Sequence, residues 1–161
     1  MKVLYAGPFI LDNELLIKGG AWEGRLAEEY SMPINLVHAT PPFESDDIDC
    51  KGYWMNPVAK EHKARIKKLR GQINVSLIHL LSEVERVRPR IVLGEGQGGV
   101  IAAMATFPVI SERACRDRAV TSHQMRTFRE AWSAVSGVVV VDPVVIPVNN
   151  NTQKIPYDWL T

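Results

Sequence analysis

Cysteine, net charge and long apolar runs are all scarce in this chain of 161 residues, and each scarcity excludes a class of protein. The two cysteines, Cys50 and Cys115, are too few and too far apart for a disulfide framework or a clustered zinc site. The 19 basic and 18 acidic side chains leave a formal charge of +1, so no overall field favours nucleic acid or an anionic membrane. No apolar run approaches the ~20 residues of a spanning helix. We therefore expect a soluble cytoplasmic protein with no membrane or nucleic-acid partner and no cofactor.

The length of the chain suits one ordinary domain that buries its core without disulfides or a structural metal. We expect this domain to cover residues 1–148. Residues 149–161 read as a polar linker followed by a short docking segment at 155–160, so they are predicted to form a C-terminal tail.

Short apolar runs alternate with amphipathic segments along the whole domain. The predicted strands are residues 2–6, 34–39, 91–93 and 138–141; the predicted helices are 21–30, 59–87 and 98–106, with one or two more within 111–135. Ser111 and Ser122 are candidate helix caps. The last strand is apolar at every residue, which is typical of a strand buried on both faces of a parallel sheet. The pattern predicts an α/β fold, a three-layer sandwich around a short, mainly parallel sheet.

Residues 40–58 show no hydrophobic period and are predicted to form a long irregular loop, which in a compact domain often frames a site. Phe43, Tyr53 and Trp54 are unusual in a loop: they would cover a cleft, fill the edge of the core or contact a partner. Four acids could ligate a hard cation, although a solvated acidic turn is the better interpretation: Glu44, Asp46, Asp47 and Asp49. Basic residues open the helix that follows and are read as its solvated face.

The stretch RIVLGEGQGGVIAAMA passes from a β-branched strand through a glycine turn into an alanine-rich helix. Gly94, Gly96 and Gly99 match the letters of a G-x-G-x-x-G dinucleotide turn, whose backbone amides bind phosphate at a helix N-terminus. The turn follows the third strand rather than the first, which argues against that interpretation. The amides of Gln97 and Gly98 could still hold a carboxylate or phosphate.

Two other interpretations fit the same glycines. They could be a G-x-S-x-G nucleophile turn with Gly96 at the position of the serine, since flanking side chains would collide with the neighbouring strand and helix in such a turn. They could instead serve only to let a helix pack closely on the sheet. Glu95, beside the apex, is expected to be solvated or salt-bridged rather than catalytic.

The turn GEGQGGVIAAMA resembles the G-x-S-Q-G-G turn of α/β-hydrolases, especially the small serine hydrolases and the carboxylesterase and acyl-protein thioesterase group. Four further segments are similar to theirs in the same order, over about residues 2–145: KVLYAGPF, AWEGRLAEEY, NLVHATPPFES and VVVVDPVV. The resemblance implies a serine nucleophile, a later acid and a C-terminal histidine. Gly96 replaces the serine, Ala6-Gly7 stands where the oxyanion loop would have His-Gly, and all four histidines precede the fourth strand.

These departures favour a catalytically inactive α/β-hydrolase-like domain, with a truncated sheet, that acts as a binding, assembly or oligomerisation module. The last strand, at 138–141, would be an exposed edge that pairs with a second copy or another protein. The turn could retain a small acyl or anionic ligand, with Gly7, Gly94, Glu95, Gly96, Gln97, Gly98, Phe43, Tyr53 and Trp54 as candidate contacts. The alternatives are an esterase or thioesterase completed by residues elsewhere and a nucleotide- or anion-binding Rossmann-like protein.

Overall fold

The computed structural model describes residues 1–46, 49–55 and 61–144 of the chain. Seven strands and five helices follow one another within these residues. In chain order they are β1 (Lys2–Ala6), β2 (Ile10–Leu11), α1 (Asp12–Tyr30), β3 (Asn35–Ala39), β4 (Phe43–Glu44), β5 (Cys50–Gly52), α2 (His62–Val87), β6 (Ile91–Glu95), α3 (Gln97–Ala105), α4 (Pro108–Asp117), α5 (Ser122–Ser133) and β7 (Gly137–Val141). The predicted tail at 149–161 lies outside the described residues.

Four of the strands form a parallel sheet in the order β3-β1-β6-β7. The central strands β1 and β6 are almost wholly apolar, and Val3, Leu4 and Leu93 within them are buried. Strands of this composition need cover on both faces, which helical crossovers supply. The predicted α/β fold with a mainly parallel sheet is confirmed.

Alternate residues of the strands contribute to two separate cores. Leu4 and Val92 pack in one core with the buried side chains of α2 and α3. Val3 and Leu93 pack in the other with Leu15 and neighbouring side chains of α1. The sheet is therefore covered by α1 on one face and by the remaining helices on the other.

Helix α1 begins at Asp12, nine residues before the start that the hydrophobic pattern predicts. Leu16 and Ile17 in its first turns are exposed, so the apolar positions there do not mark the buried face. Gly19 packs this part of the helix against β3, since a Cβ at Gly19 would collide with the imidazole of His38. Because Leu16 and Ile17 are apolar but exposed, the hydrophobic periodicity does not predict the first turns of α1.

The predicted irregular loop at 40–58 contains two short strands. β5 pairs antiparallel with both β2 and β4, and the three make a second small sheet. Strands of two or three residues are too short to show a period of two, which is why the sequence pattern did not predict them. Cys50, placed in a loop by the sequence, opens β5 and is buried.

The two predicted caps are also wrong. Helix α4 begins at Pro108, before Ser111, because proline already has the φ angle of a first helical residue. Helix α5 is capped by Thr121, whose hydroxyl oxygen accepts a hydrogen bond from the backbone N–H of Gln124 at 3.1 Å.

The prediction that the last strand is buried on both faces is wrong. Val139 and Val140 of β7 are 38% and 37% exposed. Within the described residues β7 pairs with β6 alone, so it forms an edge of the sheet. In the described part of the chain β7 is therefore an edge strand and not a central one, despite its apolar sequence.

Candidate functional site: the turn between β6 and α3

The chain reverses direction at Gly96, between the end of β6 and the first residue of α3. Gly96 has φ 58° and ψ −122°, a backbone conformation that side chains disfavour. Its N–H donates to the carbonyl of Val141 at 3.1 Å, and its carbonyl accepts from the N–H of Val100 at 3.2 Å. The apex is thus anchored both to the edge strand and to the following helix.

The other glycines of the turn are required by close packing. A Cβ at Gly94 would lie 2.7 Å from the Cα of Gly99, and one at Gly98 would collide with the carbonyl of Ala6. Backbone atoms cannot give way as the end of a flexible side chain can. The spacing of the glycines therefore lets α3 lie directly on β1 and β6, as a tight strand-to-helix turn requires.

The position that would hold a nucleophile is closed by the neighbouring loop. A Cβ on Gly96 would lie 2.7 Å from the Cβ of Pro8 and 3.2 Å from its Cα. Any side chain at Gly96 would therefore have to displace Pro8, besides adopting the strained φ. The turn keeps a sharp backbone bend but offers no attacking atom at its apex.

Glu95 is the charged group nearest the apex, and three donors surround its carboxylate. Tyr5 donates through its hydroxyl at 2.5 Å, Lys18 through Nζ at 2.9 Å and Trp22 through Nε1 at 3.1 Å. Burial raises the pKa of Glu95, but the hydrogen bonds from these donors outweigh it and hold the pKa below its usual value of 4.5. Glu95 is thus an ionised group that ties α1 to the sheet, in agreement with the expected salt-bridged role.

The partners of Glu95 were not predicted from the sequence. Burial, followed by the hydrogen bond to Glu95, raises the pKa of Tyr5 far above its usual value, so its hydroxyl remains a donor. Lys18 and Trp22 are four residues apart and share one side of α1. The four-residue spacing indicates that Lys18 and Trp22 lie on the same side of a helix. Nothing in the local sequence indicates that both contact a residue of β6.

Gln97, the first residue of α3, fastens the segment after β5 onto the turn. Its side-chain oxygen accepts from the N–H of Tyr53 at 2.8 Å and of Trp54 at 3.4 Å, and its Nε2 donates to the carbonyl of Trp54 at 3.0 Å. One amide side chain thereby satisfies three buried or half-buried backbone groups. Gln97 therefore connects the start of α3 with the segment after β5.

The Gly98 amide, which the sequence suggested as an anion donor, is already paired within the fold. The N–H of Gly98 donates to the carbonyl of Gly7 at 3.2 Å, so it does not face a ligand. Gly7 itself is buried and packs against Leu15, since a Cβ there would collide with that side chain. The carbonyl of Gly7 therefore takes the hydrogen bond that an anion would have received. The expectation that the Gly98 amide holds a ligand is wrong.

The aromatic residues do not line a cleft above the turn. Tyr53 is fully buried and Trp54 is 3% exposed, and both belong to the core between the sheet and α2. Phe43, in β4, is partly buried. Of the three roles expected for these side chains, filling the edge of the core is the one that the structure shows for Tyr53 and Trp54.

Two histidines and one cysteine of the described residues have contacts of their own in other parts of the fold. His38 packs edge-on against Tyr5, with ring centroids 5.7 Å apart, and burial lowers its pKa. His79 places Nε2 at 2.6 Å from the carbonyl oxygen of Thr40. The Cys115 thiol is buried on the helical face, and this burial, followed by the charge of Glu112, raises its pKa. None of the contacts named for these three side chains involves Gly96.

Among the residues that the structure describes, no group of three histidine, cysteine or acidic side chains is placed to hold a metal ion. Glu44, Asp46 and Asp49 of the acidic loop are exposed. Asp47 lies outside the described residues. The basic residues of α2 are mostly solvent-facing, as expected: Lys63, Arg65, Lys67 and Lys68 are exposed.

The fold and the turn together define a small α/β domain whose glycine-bounded bend is held by internal hydrogen bonds. No family model matches the chain, and no match was found among curated proteins or solved structures. None of the helices in the described part of the chain is long and apolar enough to cross a membrane.

Proposed function

We propose that this domain is a non-catalytic, α/β-hydrolase-like assembly module that pairs with a second copy of itself through the free edge of β7. The observation that carries the proposal is the exposed apolar edge formed by Gly137–Val141. The hydrolase-like character rests on the resemblance of the turn and on its retained sharp bend at Gly96.

The loss of catalysis is supported by what the polar groups around the bend already do. The Glu95 carboxylate accepts three hydrogen bonds, and the Gln97 amide group makes three more. The space above Gly96 is taken by Pro8. Most of the hydrogen-bonding capacity of both side chains is thus used within the fold, which supports a structural role for them.

Within the residues that the structure describes, β7 lacks the charged and proline residues that normally prevent strand pairing. Its sequence, GVVVV, contains no lysine, no proline and no inward-pointing charge. Unpaired N–H and C=O groups along such an edge form a template for another strand. The opposite edge, β3, contains Asn35 and His38 and is largely half-buried beside α1. The two edges are therefore unequal, and β7 is the one suited to pairing.

A second copy is the partner that this edge fits best. Two β7 strands paired antiparallel about a two-fold axis at Val139 would place Val138 opposite Val140 and join the two sheets. The formal charge of +1 per chain creates little repulsion between copies. The partner surface is thus supplied by the chain itself.

Sedimentation velocity on two matched variants tests the proposal. Val139→Lys places a charge on the β7 edge, whereas Ile17→Lys places the same charge on a 72% exposed residue of α1. We expect the unaltered chain and Ile17→Lys to sediment as dimers at high micromolar concentration. Val139→Lys should sediment as a monomer with an unchanged circular dichroism spectrum. A monomeric unaltered chain, or equal dimerisation of all three proteins, would refute the proposal.

The second candidate is an esterase or thioesterase completed by residues outside the described part of the chain, and the sharp bend at Gly96 is what favours it. It predicts turnover of a short-chain p-nitrophenyl ester that a single substitution at the turn abolishes. The assembly proposal predicts hydrolysis at the buffer rate, unaffected by Glu95→Gln.

A further inference from the structure

A cavity of about 250 Å³ lies on the helical face of the domain, between α2, the end of α3, α4 and α5. Its inner wall consists of Leu81, Cys115 and Phe128, which are 4%, 2% and 5% exposed. Met125 and Trp132 extend the wall along α5. None of these side chains belongs to the turn at Gly96, so the cavity is a separate feature of the fold.

Four polar residues line this cavity: Ser111, Glu112, Arg129 and Ser133. Glu112 of α4 and Arg129 of α5 form a 2.7 Å ion pair, and their side chains are 36% and 65% exposed. The pair connects the two helices beside the mouth of the cavity. Because each charge already has its counter-ion, the mouth carries no net charge that would select a charged ligand.

The lining is mainly apolar, and the part-buried hydroxyl of Ser111 already donates to the carbonyl of Ala105 at 3.4 Å. The Cys115 thiol is held neutral, since burial raises its pKa, and it is only a weak hydrogen-bond donor. A buried water needs two to four polar partners, and an apolar cavity that lacks them stays dry or binds an apolar molecule. The walls therefore favour a hydrocarbon-like occupant.

We propose that this cavity binds a small, uncharged and largely apolar molecule such as a fused aromatic ring. An apolar cavity of roughly 150 Å³ accommodates benzene, so by proportion this cavity suits a molecule of about ten non-hydrogen atoms. The ring system would lie between the side chains of Phe128 and Trp132, and one weak polar group could face the Glu112–Arg129 pair.

Methionine-methyl NMR tests the binding site directly, with indole as the probe. Met125 lines the cavity, whereas Met32 is an exposed residue at the end of α1 and reports non-specific binding. Indole should shift the Met125 methyl signal in a saturable manner with a dissociation constant below the millimolar range, and Met32 should not move. Indole-3-carboxylate, which adds a negative charge, should bind at least tenfold more weakly.

A second experiment tests indole binding after a substitution that fills the cavity. Ser111→Phe introduces a ring into the lining on α4, and Ser122→Phe introduces the same ring at an exposed position in the first turn of α5. The Met125 response to indole should be lost in Ser111→Phe and kept in Ser122→Phe. If Ser111→Phe fails to fold, the comparison of Met125 with Met32 in the unaltered chain still decides. A Met125 signal that does not move, or equal movement at both methionines, would overturn the proposal.

Discussion

At the scale of single residues, the glycine turn shows how groups that suggest a site can all be engaged in holding a fold. Glu95 binds Tyr5, Lys18 and Trp22 and so connects the sheet with α1. Gln97 connects α3 with the segment after β5. Both side chains satisfy partners that are distant in the sequence.

The ionised state of Glu95 should make a measurable contribution to stability. We expect Glu95→Gln to lower the free energy of unfolding by about 1–3 kcal/mol at neutral pH, because charge-assisted hydrogen bonds from Tyr5, Lys18 and Trp22 are lost. Glu112→Gln, which breaks a more exposed ion pair, should cost less than about 1 kcal/mol. Urea unfolding of the three proteins measures both differences.

The stability difference between the unaltered chain and Glu95→Gln should depend on pH. The pKa of Glu95 is lower in the folded protein than its usual 4.5, so the unfolded chain binds the proton more tightly. The stabilisation is therefore complete above pH 4.5 and is lost as the pH falls through the lowered folded value. The gap in stability between the unaltered chain and Glu95→Gln should narrow in acid, and a gap that widens there would contradict the assigned ionisation.

At the scale of elements, the junction of β6 with α3 depends on Gly96, which combines a positive φ with close contact to Pro8. Gly96→Ala should lower stability by about 1–3 kcal/mol, because the residue has a positive φ and its Cβ would press on Pro8. Gly20→Ala, inside α1 with open space around it, should raise stability by about 0.5–1 kcal/mol. Thermal unfolding monitored by circular dichroism should show shifts of opposite sign. Shifts of the same sign would mean that the turn is not under this constraint.

Elements with a strong local pattern could be predicted from the sequence, and those defined by distant contacts could not. The strand Lys2–Ala6 was predicted with its observed bounds, and α2 was predicted from apolar residues at helical spacing. The first turns of α1 were missed because exposed apolar side chains occur there. β4 and β5 were missed because each has only two or three residues.

Only part of the candidate site could be predicted from the sequence, again because local patterns do not encode distant contacts. The glycine spacing indicated the tight turn between β6 and α3, because close backbone packing requires glycine at fixed positions. The hydrogen bonds of Gln97 span more than forty residues and that of Tyr5 to Glu95 spans 90, so no local pattern encodes them. The burial of Tyr53 and Trp54 follows from those long-range contacts.

At the scale of the whole molecule, the described sheet has two edges, β3 and β7, and the residues of β7 are the more exposed. Helices cover both faces of β1 and β6, whereas β7 has exposed valines and one paired neighbour within the described residues. This asymmetry is the basis for proposing assembly through β7. The cavity between α4 and α5 is on the helical face, so ligand binding there and pairing of the edge are independent proposals.

Hydrogen exchange of the strand amides at low and high protein concentration shows whether β7 pairs with a second copy. We expect the amides of Gly137–Val141 to become more protected as the protein concentration rises, while those of the opposite edge, Asn35–Ala39, stay unchanged. In Val139→Lys the concentration dependence should disappear. Exchange from Gly137–Val141 that is the same at both concentrations, or protection that rises equally at both edges, would contradict pairing through β7.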